Sequence, residues 1–259
     1  MRRSKREQGW SDIGAIVIFN TVRNPPLLHM PRPYVVINLA MSADGKLSTR
    51  ERRQVKISGK EDFSRVVILK AESDAVMVGI GTVLADDPSL TVKSPDLIAA
   101  RRSRGLTDHP VRVVVDCRAR TPPGASLLQK GSGTRVVACC RDADAERCRA
   151  LSEVAHVFRA GEGEVDLEAL LHELHGMGIQ RIMVEGGGRL IGALFSLGLV
   201  DEFITFIGNM VIGGETAPTP ADGPGFIREE EFTRLSLFSV ERMDQGVLLR
   251  WMVEKKGSE

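Results

Sequence analysis

Short runs of β-branched residues alternate with longer amphipathic stretches from Pro31 onward, and this alternation limits the possible folds more than any other feature. Parallel strands must be joined by a crossover connection, most often a helix, so the pattern predicts repeated strand–helix–strand units. Such units build a largely parallel sheet with helices on both faces. The predicted strands of this part are residues 34–41, 75–78, 111–115, 135–139 and 181–184.

Helix signals follow several of these strands. Ser58-Gly59-Lys60-Glu61 has the form of a capping box, and the helix that it opens carries Phe63, Val66, Val67 and Ala71 on one face. Asp166 is the predicted N-cap of a helix that runs to about His175. Two more helices are predicted at about 143–154 and 189–197.

The last third of the chain has strand patterns without helices of useful length between them. These strands are predicted at residues 202–207, 235–240 and 246–253. We expect them to be antiparallel strands that complete one edge of the sheet.

The first 29 residues differ from the rest. They open with a basic run at residues 2–6 and end near the breaker Asn24-Pro25-Pro26, and no helix or strand period is sustained between. We expect residues 1–29 to be an appendage, either a flexible tail or sequence upstream of a start at Met30, that is dispensable for activity and association. Residues 30–259 are then a single domain.

Composition excludes several classes of protein. The 35 Lys and Arg residues against 34 Asp and Glu residues leave a formal charge of +1, which gives no reason to expect a nucleic-acid partner. No apolar run approaches the roughly 20 residues of a membrane span. We therefore expect a cytoplasmic protein that binds neither nucleic acid nor membrane.

Cysteine and histidine spacing predicts no metal site. Cys117, Cys139, Cys140 and Cys148 form no Cys-x-x-Cys pair, and we expect them to be buried thiols in a reducing compartment. His172 and His175 lie three residues apart on a predicted helix, but no further ligands accompany them.

A glycine run stands between a predicted strand and a predicted helix. Gly186-Gly187-Gly188 would leave backbone amides open at the helix amino terminus, where phosphate binds well. The dinucleotide fingerprint is not met, because Ile191 occupies the position of its third glycine. The run is equally consistent with a phosphate loop and with a tight structural turn.

Two other strand ends carry polar side chains. Thr82 and Asp86 are four residues apart, so they share a helix face that could hold a ribose or an amide. Spacing alone favours the alternative, in which Thr82 is an N-cap and Asp87-Pro88 is the turn at the helix end. Asp44 and Lys46 follow the first strand, where ligands of open α/β sheets gather. They are also consistent with a solvated turn.

In combination, these segments closely resemble the riboflavin-biosynthesis reductases. The resemblance covers about residues 32–253, in one order, and residues 213–226 are similar to the stand-alone archaeal-type branch, which lacks the fused deaminase domain of the bacterial enzymes. No zinc-deaminase motif occurs in this sequence. The motifs that carry the resemblance are residues 38–46, 78–92, 110–116, 185–188 and 198–202.

The resemblance implies a fold and a reaction. The fold is an α/β, dihydrofolate-reductase-like three-layer structure with a mostly parallel central sheet and antiparallel C-terminal edge strands. Members of the family form homodimers and use NADPH, some also NADH. They reduce the ribosylamino side chain of a pyrimidinone 5′-phosphate to the ribitylamino form, and the archaeal-type branch does so before deamination.

The resemblance also implies roles for individual residues. Lys46 is expected to orient the ribose and Glu185 the pyrimidine, with Asp44 beside them as a third catalytic candidate. Substrate contacts are expected from Lys70, Leu90, Lys93 and Glu185. Cofactor contacts are expected from Ala40, Thr82, Asp86, Cys117, Gly187, Gly188, Arg189 and Leu190.

The sequence is also consistent with three alternative functions. The substrate could be the deaminated uracil. A dihydrofolate or pteridine reductase on the same fold would carry a buried acid that protonates the pteridine ring. A regulatory domain could keep the nucleotide pocket and lack turnover.

Overall fold

The computed structural model describes residues 32–53 and 55–255, so the predicted appendage at residues 1–29 lies outside the described residues. The described chain forms a nine-stranded sheet with seven α-helices. The strands are β1 (Tyr34–Ser42), β2 (Ala75–Gly79), β3 (Val111–Val115), β4 (Arg135–Cys139), β5 (His156–Arg159), β6 (Arg181–Gly186), β7 (Glu202–Gly208), β8 (Leu235–Met243) and β9 (Gly246–Val253). The helices are α1 (Lys60–Glu72), α2 (Ile80–Asp86), α3 (Pro95–Ser103), α4 (Ser126–Gln129), α5 (Ala145–Ser152), α6 (Leu167–Gly176) and α7 (Gly188–Ser196).

The strand order is β5-β4-β3-β2-β6-β1-β7-β9-β8. The seven strands from β5 to β7 are mutually parallel, and β9 and β8 add antiparallel pairs at one edge. The predicted mostly parallel sheet with antiparallel C-terminal edge strands is confirmed. The prediction was wrong for β7, which pairs in parallel with β1. The connection from β6 through α7 crosses β1, so β7 lies on the side of β1 away from β6 and runs parallel to β1.

The core is divided between the two faces of the sheet, because successive side chains of a strand point to opposite faces. On β1, Val35 and Ile37 pack with one core, while Val36 packs with the other. Leucines of α6 and α7 cover the first core, and α1, α2, α4 and α5 contribute to the second. The chain therefore has the predicted helix–sheet–helix layers.

The start of α1 differs from the prediction. The N-cap is Gly59, which has no side chain to accept a hydrogen bond, so the predicted capping box is wrong. Instead the carboxylate of Asp244, in the β8–β9 turn, accepts hydrogen bonds from the amides of Glu61 and Asp62 at 3.1 and 3.0 Å. Phe63 is 67% exposed, which corrects its predicted burial with Ala71.

The sequence patterns missed three elements, which are β5, α3 and α4; the last has only four residues and no side-chain cap. The strand β5 has only four residues and half-exposed side chains, so it shows no clear alternation. The helix α3 begins after the N-cap Ser94 with proline in its first turn, a start signal that was overlooked. The predicted N-cap Asp166 is confirmed, because its side chain accepts from the amide of Ala169.

A disulfide joins Cys117 and Cys140, whereas free thiols were expected at all four cysteines. The two residues follow the neighbouring parallel strands β3 and β4, which places their Cα atoms 4.5 Å apart, and the Cys140 amide donates to the Cys117 carbonyl. Cys139 and Cys148 are buried free cysteines, as expected. The sulfurs of Cys117 and Cys140 also lie near Asp142, but both are engaged in the disulfide.

Candidate active site

A cleft of about 1050 Å³ opens at the carboxyl ends of β1, β2 and β6. Ligands of open α/β sheets bind at this edge, because the loops that leave the strands converge there. Predicted cofactor or substrate residues that the structure brings together in its lining are Ala40, Thr82, Asp86, Glu185, Gly187 and Gly188.

The glycine run forms the turn from β6 into α7. Gly186 and Gly187 have φ angles of 155° and 95°, which side chains rarely adopt. The hydroxyl of Thr82 lies directly over Gly186, since a Cβ placed there would be 3.4 Å from its Oγ1. The starts of α2 and α7 therefore meet across this turn, and Gly187 and Gly188 line the cleft.

Asp86 lies on the same wall, one turn of α2 beyond Thr82. Its side chain remains accessible, yet partial burial raises the pKa of its carboxyl above the ordinary value. By contrast, the neighbouring Asp87 ends the helix in a left-handed conformation and accepts hydrogen bonds from the amide and hydroxyl of Ser126. Of the two aspartates, Asp86 is therefore the one available to a ligand.

Glu185, which lines the cleft, forms an ion pair with Lys70, which lies outside the cleft lining. Their Oε1 and Nζ atoms are 2.8 Å apart, and each side chain is 18% exposed. The Oε1 atom is itself buried beside the Lys70 ammonium, so the exposed part of the Glu185 side chain comes from its other atoms. A ligand in the cleft would reach Glu185 through those atoms.

One part of the cleft wall is rich in cations, which the sequence patterns did not predict. Arg52, Lys56 and Lys60 line it, and Phe63 and Ser64 continue it along α1. These side chains come from the connection between β1 and the first turns of α1. The density of Arg and Lys in residues 50–60 was the available signal. They share the cleft lining with Asp86 and Glu185, so the cleft presents charges of both signs.

Asp44 joins the loop after β1 to the loop after β7 by hydrogen bonds, next to the cleft. Its carboxylate accepts hydrogen bonds from the Ser42 hydroxyl at 2.6 Å and from the amides of Ile212 and Gly213 at 3.0 and 2.7 Å. These donors, the Ser42 hydroxyl first, lower the pKa of Asp44 from 3.8 to about 2. Lys46 lies beside this turn, with its Nζ 3.4 Å from the Ala217 carbonyl.

The Asp44 contacts predict a pH-dependent stability. A lowered carboxyl pKa contributes stability that is present above the ordinary value and is lost as the pH falls through the folded-state value. We expect Asp44→Asn to lower the melting temperature at neutral pH, and the difference from the parent chain to close between pH 3.8 and about 2. Thermal melts of both chains across this range check it; a difference independent of pH would contradict it.

The other predicted site residues lie outside the lining of this cleft. Leu90 is buried with a φ angle of 53°, Lys93 is exposed, and Cys117 is in the disulfide at the exit of β3. Arg189 and Leu190 are in the first turn of α7, and the Leu190 side chain packs against Gly79. Their contacts with a ligand remain predictions.

The sequence matches the RibD C-terminal domain family over residues 33–249, and the chain therefore belongs to this family of reductases. Two archaeal relatives carry the name 2,5-diamino-6-ribosylamino-4(3H)-pyrimidinone 5′-phosphate reductase. The relative from Archaeoglobus fulgidus is 47% identical over 215 residues, which are 83% of this chain and 95% of the relative. The relative from Methanothermobacter thermautotrophicus is 43% identical over 223 residues, 86% of this chain and 99% of the relative.

A solved structure agrees with the fold. The pyrimidine reductase-like protein from Corynebacterium diphtheriae superimposes with a TM-score of 0.74 over 86% of this chain and 93% of its own, at 18% identity. With the observed sheet order, this likeness confirms the expected dihydrofolate-reductase-like architecture. Among the described residues, no helix has the length and apolar character that a membrane crossing needs.

Proposed function

We propose that this chain reduces 2,5-diamino-6-ribosylamino-4(3H)-pyrimidinone 5′-phosphate to its ribitylamino product in riboflavin biosynthesis. The observation that carries the proposal is a single cleft in which a glycine turn at a helix amino terminus meets the Lys70–Glu185 pair and a cation-rich wall. The names of the archaeal relatives support the same reaction. Such a reaction on small soluble metabolites fits a cytoplasmic enzyme.

The cofactor side of the cleft suits a dinucleotide. The amides at the start of α7 offer donors to phosphate oxygens, and only glycine at position 187 leaves the backbone open at a φ angle of 95°. Thr82 and Asp86 offer a hydroxyl and a carboxylate to ribose hydroxyl or amide groups. When bound, the NADPH that the resemblance implies supplies the hydride that the reduction consumes.

The substrate side supplies opposite charges to a molecule that has both an anionic and a donor-rich end. The wall formed by Arg52, Lys56 and Lys60 attracts the 5′-phosphate. Lys70, which is paired with Glu185, adds a positive charge next to it. Glu185 accepts hydrogen bonds from amino and ring N–H groups of the pyrimidine. These contacts hold the ribosylamine so that its C1′ atom, which is electrophilic in the open imine form, faces the cofactor side.

An oxidation assay tests this function. The reduced nicotinamide absorbs in the near ultraviolet, and its loss is followed with the diaminopyrimidinone phosphate, the deaminated uracil phosphate and dihydrofolate in parallel, each with NADPH and with NADH. We expect turnover with NADPH and a preference for the diaminopyrimidinone. Preference for dihydrofolate would move the chain to the pteridine reductases, and no turnover with any substrate would favour a regulatory role.

We also propose that the chain is a homodimer that associates through its C-terminal hairpin. The apolar side chains Leu237, Phe238, Val240 and Val247 are each at least 36% exposed on β8 and β9. Exposed apolar groups clustered on an edge strand favour an interface. We expect sedimentation to give the mass of two chains, and Val240→Lys to give one; a monomeric parent chain would contradict the proposal.

A further inference from the structure

The turn between β8 and β9 contacts the amino end of α1. The Asp244 carboxylate accepts from the amides of Glu61 and Asp62, and the Glu61 carboxylate accepts in return from the Asp244 amide at 3.3 Å. Together with the nearby amides of Gly59 and Lys60, these donors lower the pKa of Asp244. One side chain from the end of the chain therefore performs the capping that no local residue of α1 provides.

The segment that Asp244 holds is part of the cleft wall. Residues 56–60 and the first turns of α1 line the cleft with Lys56, Lys60 and Ser64. Further along the same helix, Lys70 contacts Glu185. A change in the position of the amino end of α1 would therefore move the cations that face the substrate.

The fit between the turn and the helix is close. A Cβ atom at Gly59 would collide with the Asp244 carboxylate, so glycine at this position leaves the space that the cap occupies. On the other side of the same helical turn, Arg65 binds both Asp62 and Asn38 of β1, each at 2.7 Å. Asp62 is 2% exposed, so this anchor is buried, while Asp244 supplies the anchor at the outer end.

We propose that Asp244 is a positioning residue, which holds residues 56–60 and the first turn of α1 so that their cations can bind an anionic substrate. It does not line the cleft, so it acts through the segment that it caps. The choice of the pyrimidinone 5′-phosphate as ligand rests on the proposed function. The positioning role of Asp244 does not rest on the proposed function, and trypsin cleavage measures it without any substrate.

The test compares Asp244→Ala with Asp144→Ala. Asp144 caps α5 through the Arg147 amide, away from the cleft, so its replacement removes the same kind of contact. Trypsin cleavage within residues 50–60, which contain three arginines and two lysines, reports on the wall without any substrate. We expect Asp244→Ala to speed this cleavage about fivefold, the factor that a lost helix cap is worth in an equilibrium constant.

Kinetics give the second measurement. We expect Asp244→Ala to raise KM for the pyrimidinone 5′-phosphate about fivefold with kcat unchanged, because the wall binds the ground state and the transition state alike. Asp244→Asn keeps one acceptor, and asparagine tolerates the φ angle of 50° at this position. Its KM should therefore stay close to that of the parent chain. Asp144→Ala should change neither the rate of trypsin cleavage nor the KM.

A second variant keeps the inference testable if Asp244→Ala does not fold. Gly59→Ala displaces the carboxylate from the opposite side, so it should speed the same cleavage, and the double variant should add little to either single change. Equal cleavage rates in Asp244→Ala, Gly59→Ala and Asp144→Ala would overturn the positioning role. If the parent chain resists trypsin cleavage in this segment but shows no turnover, only the proposed function would be overturned.

Discussion

Glu185→Gln is expected to lower kcat/KM for the diaminopyrimidinone phosphate by on the order of 100-fold. Glu185 lines the cleft, and its carboxylate lies 2.8 Å from the Lys70 ammonium. The glutamine would present a weaker acceptor and leave Lys70 without its counter-charge. Steady-state kinetics with NADPH at saturation measure the change.

The same variant tests the order of reduction and deamination. In the proposed binding mode, the 2-amino group of the substrate would donate to Glu185, whereas the carbonyl of the deaminated uracil would face this acceptor with another acceptor. Glu185→Gln should therefore narrow the preference between the two substrates. Glu173→Gln, which changes an exposed ion pair with His156, is the control and should leave kcat/KM unchanged. A parent chain that prefers the uracil would show that both the reaction order and this role are wrong.

Asp86→Ala should raise the KM of the cofactor by about 10- to 150-fold and that of the substrate much less, because hydrogen bonds to an ionised carboxylate are lost on the cofactor side. The raised pKa of Asp86 adds a pH dependence. As the pH falls, this carboxyl takes up its proton earlier than an ordinary aspartate. The cofactor KM of the parent chain should then rise, whereas that of the variant should not.

A matched aspartate separates this effect from a general loss of charge. Asp96 is exposed in the first turn of α3 and does not line the cleft, so Asp96→Ala should keep the parent KM values. An unchanged cofactor KM in Asp86→Ala would remove Asp86 from the cofactor site. An equal rise in both KM values would indicate a distorted cleft instead.

Local patterns in the sequence determined most of the parallel strands and most helices. The strand at residues 135–139 was predicted with the bounds that β4 has, and Asp166 caps α6 as expected. These features depend on neighbours within a few residues, so their signals are contained in short windows. The same holds for Thr82 and Asp86, whose spacing places both on one face of α2 and in the cleft.

The tertiary structure alone decided what depends on residues far apart in the chain. Asp244 caps a helix that begins 184 residues earlier, Cys117 and Cys140 meet because β3 and β4 are neighbours, and β7 is parallel because it pairs with β1. Phe63 has the helical period of a core residue, yet it faces the cleft because the sheet already fills the other side of α1. Periodicity in a sequence states which residues share a face, and only the packing of the whole chain determines what that face meets.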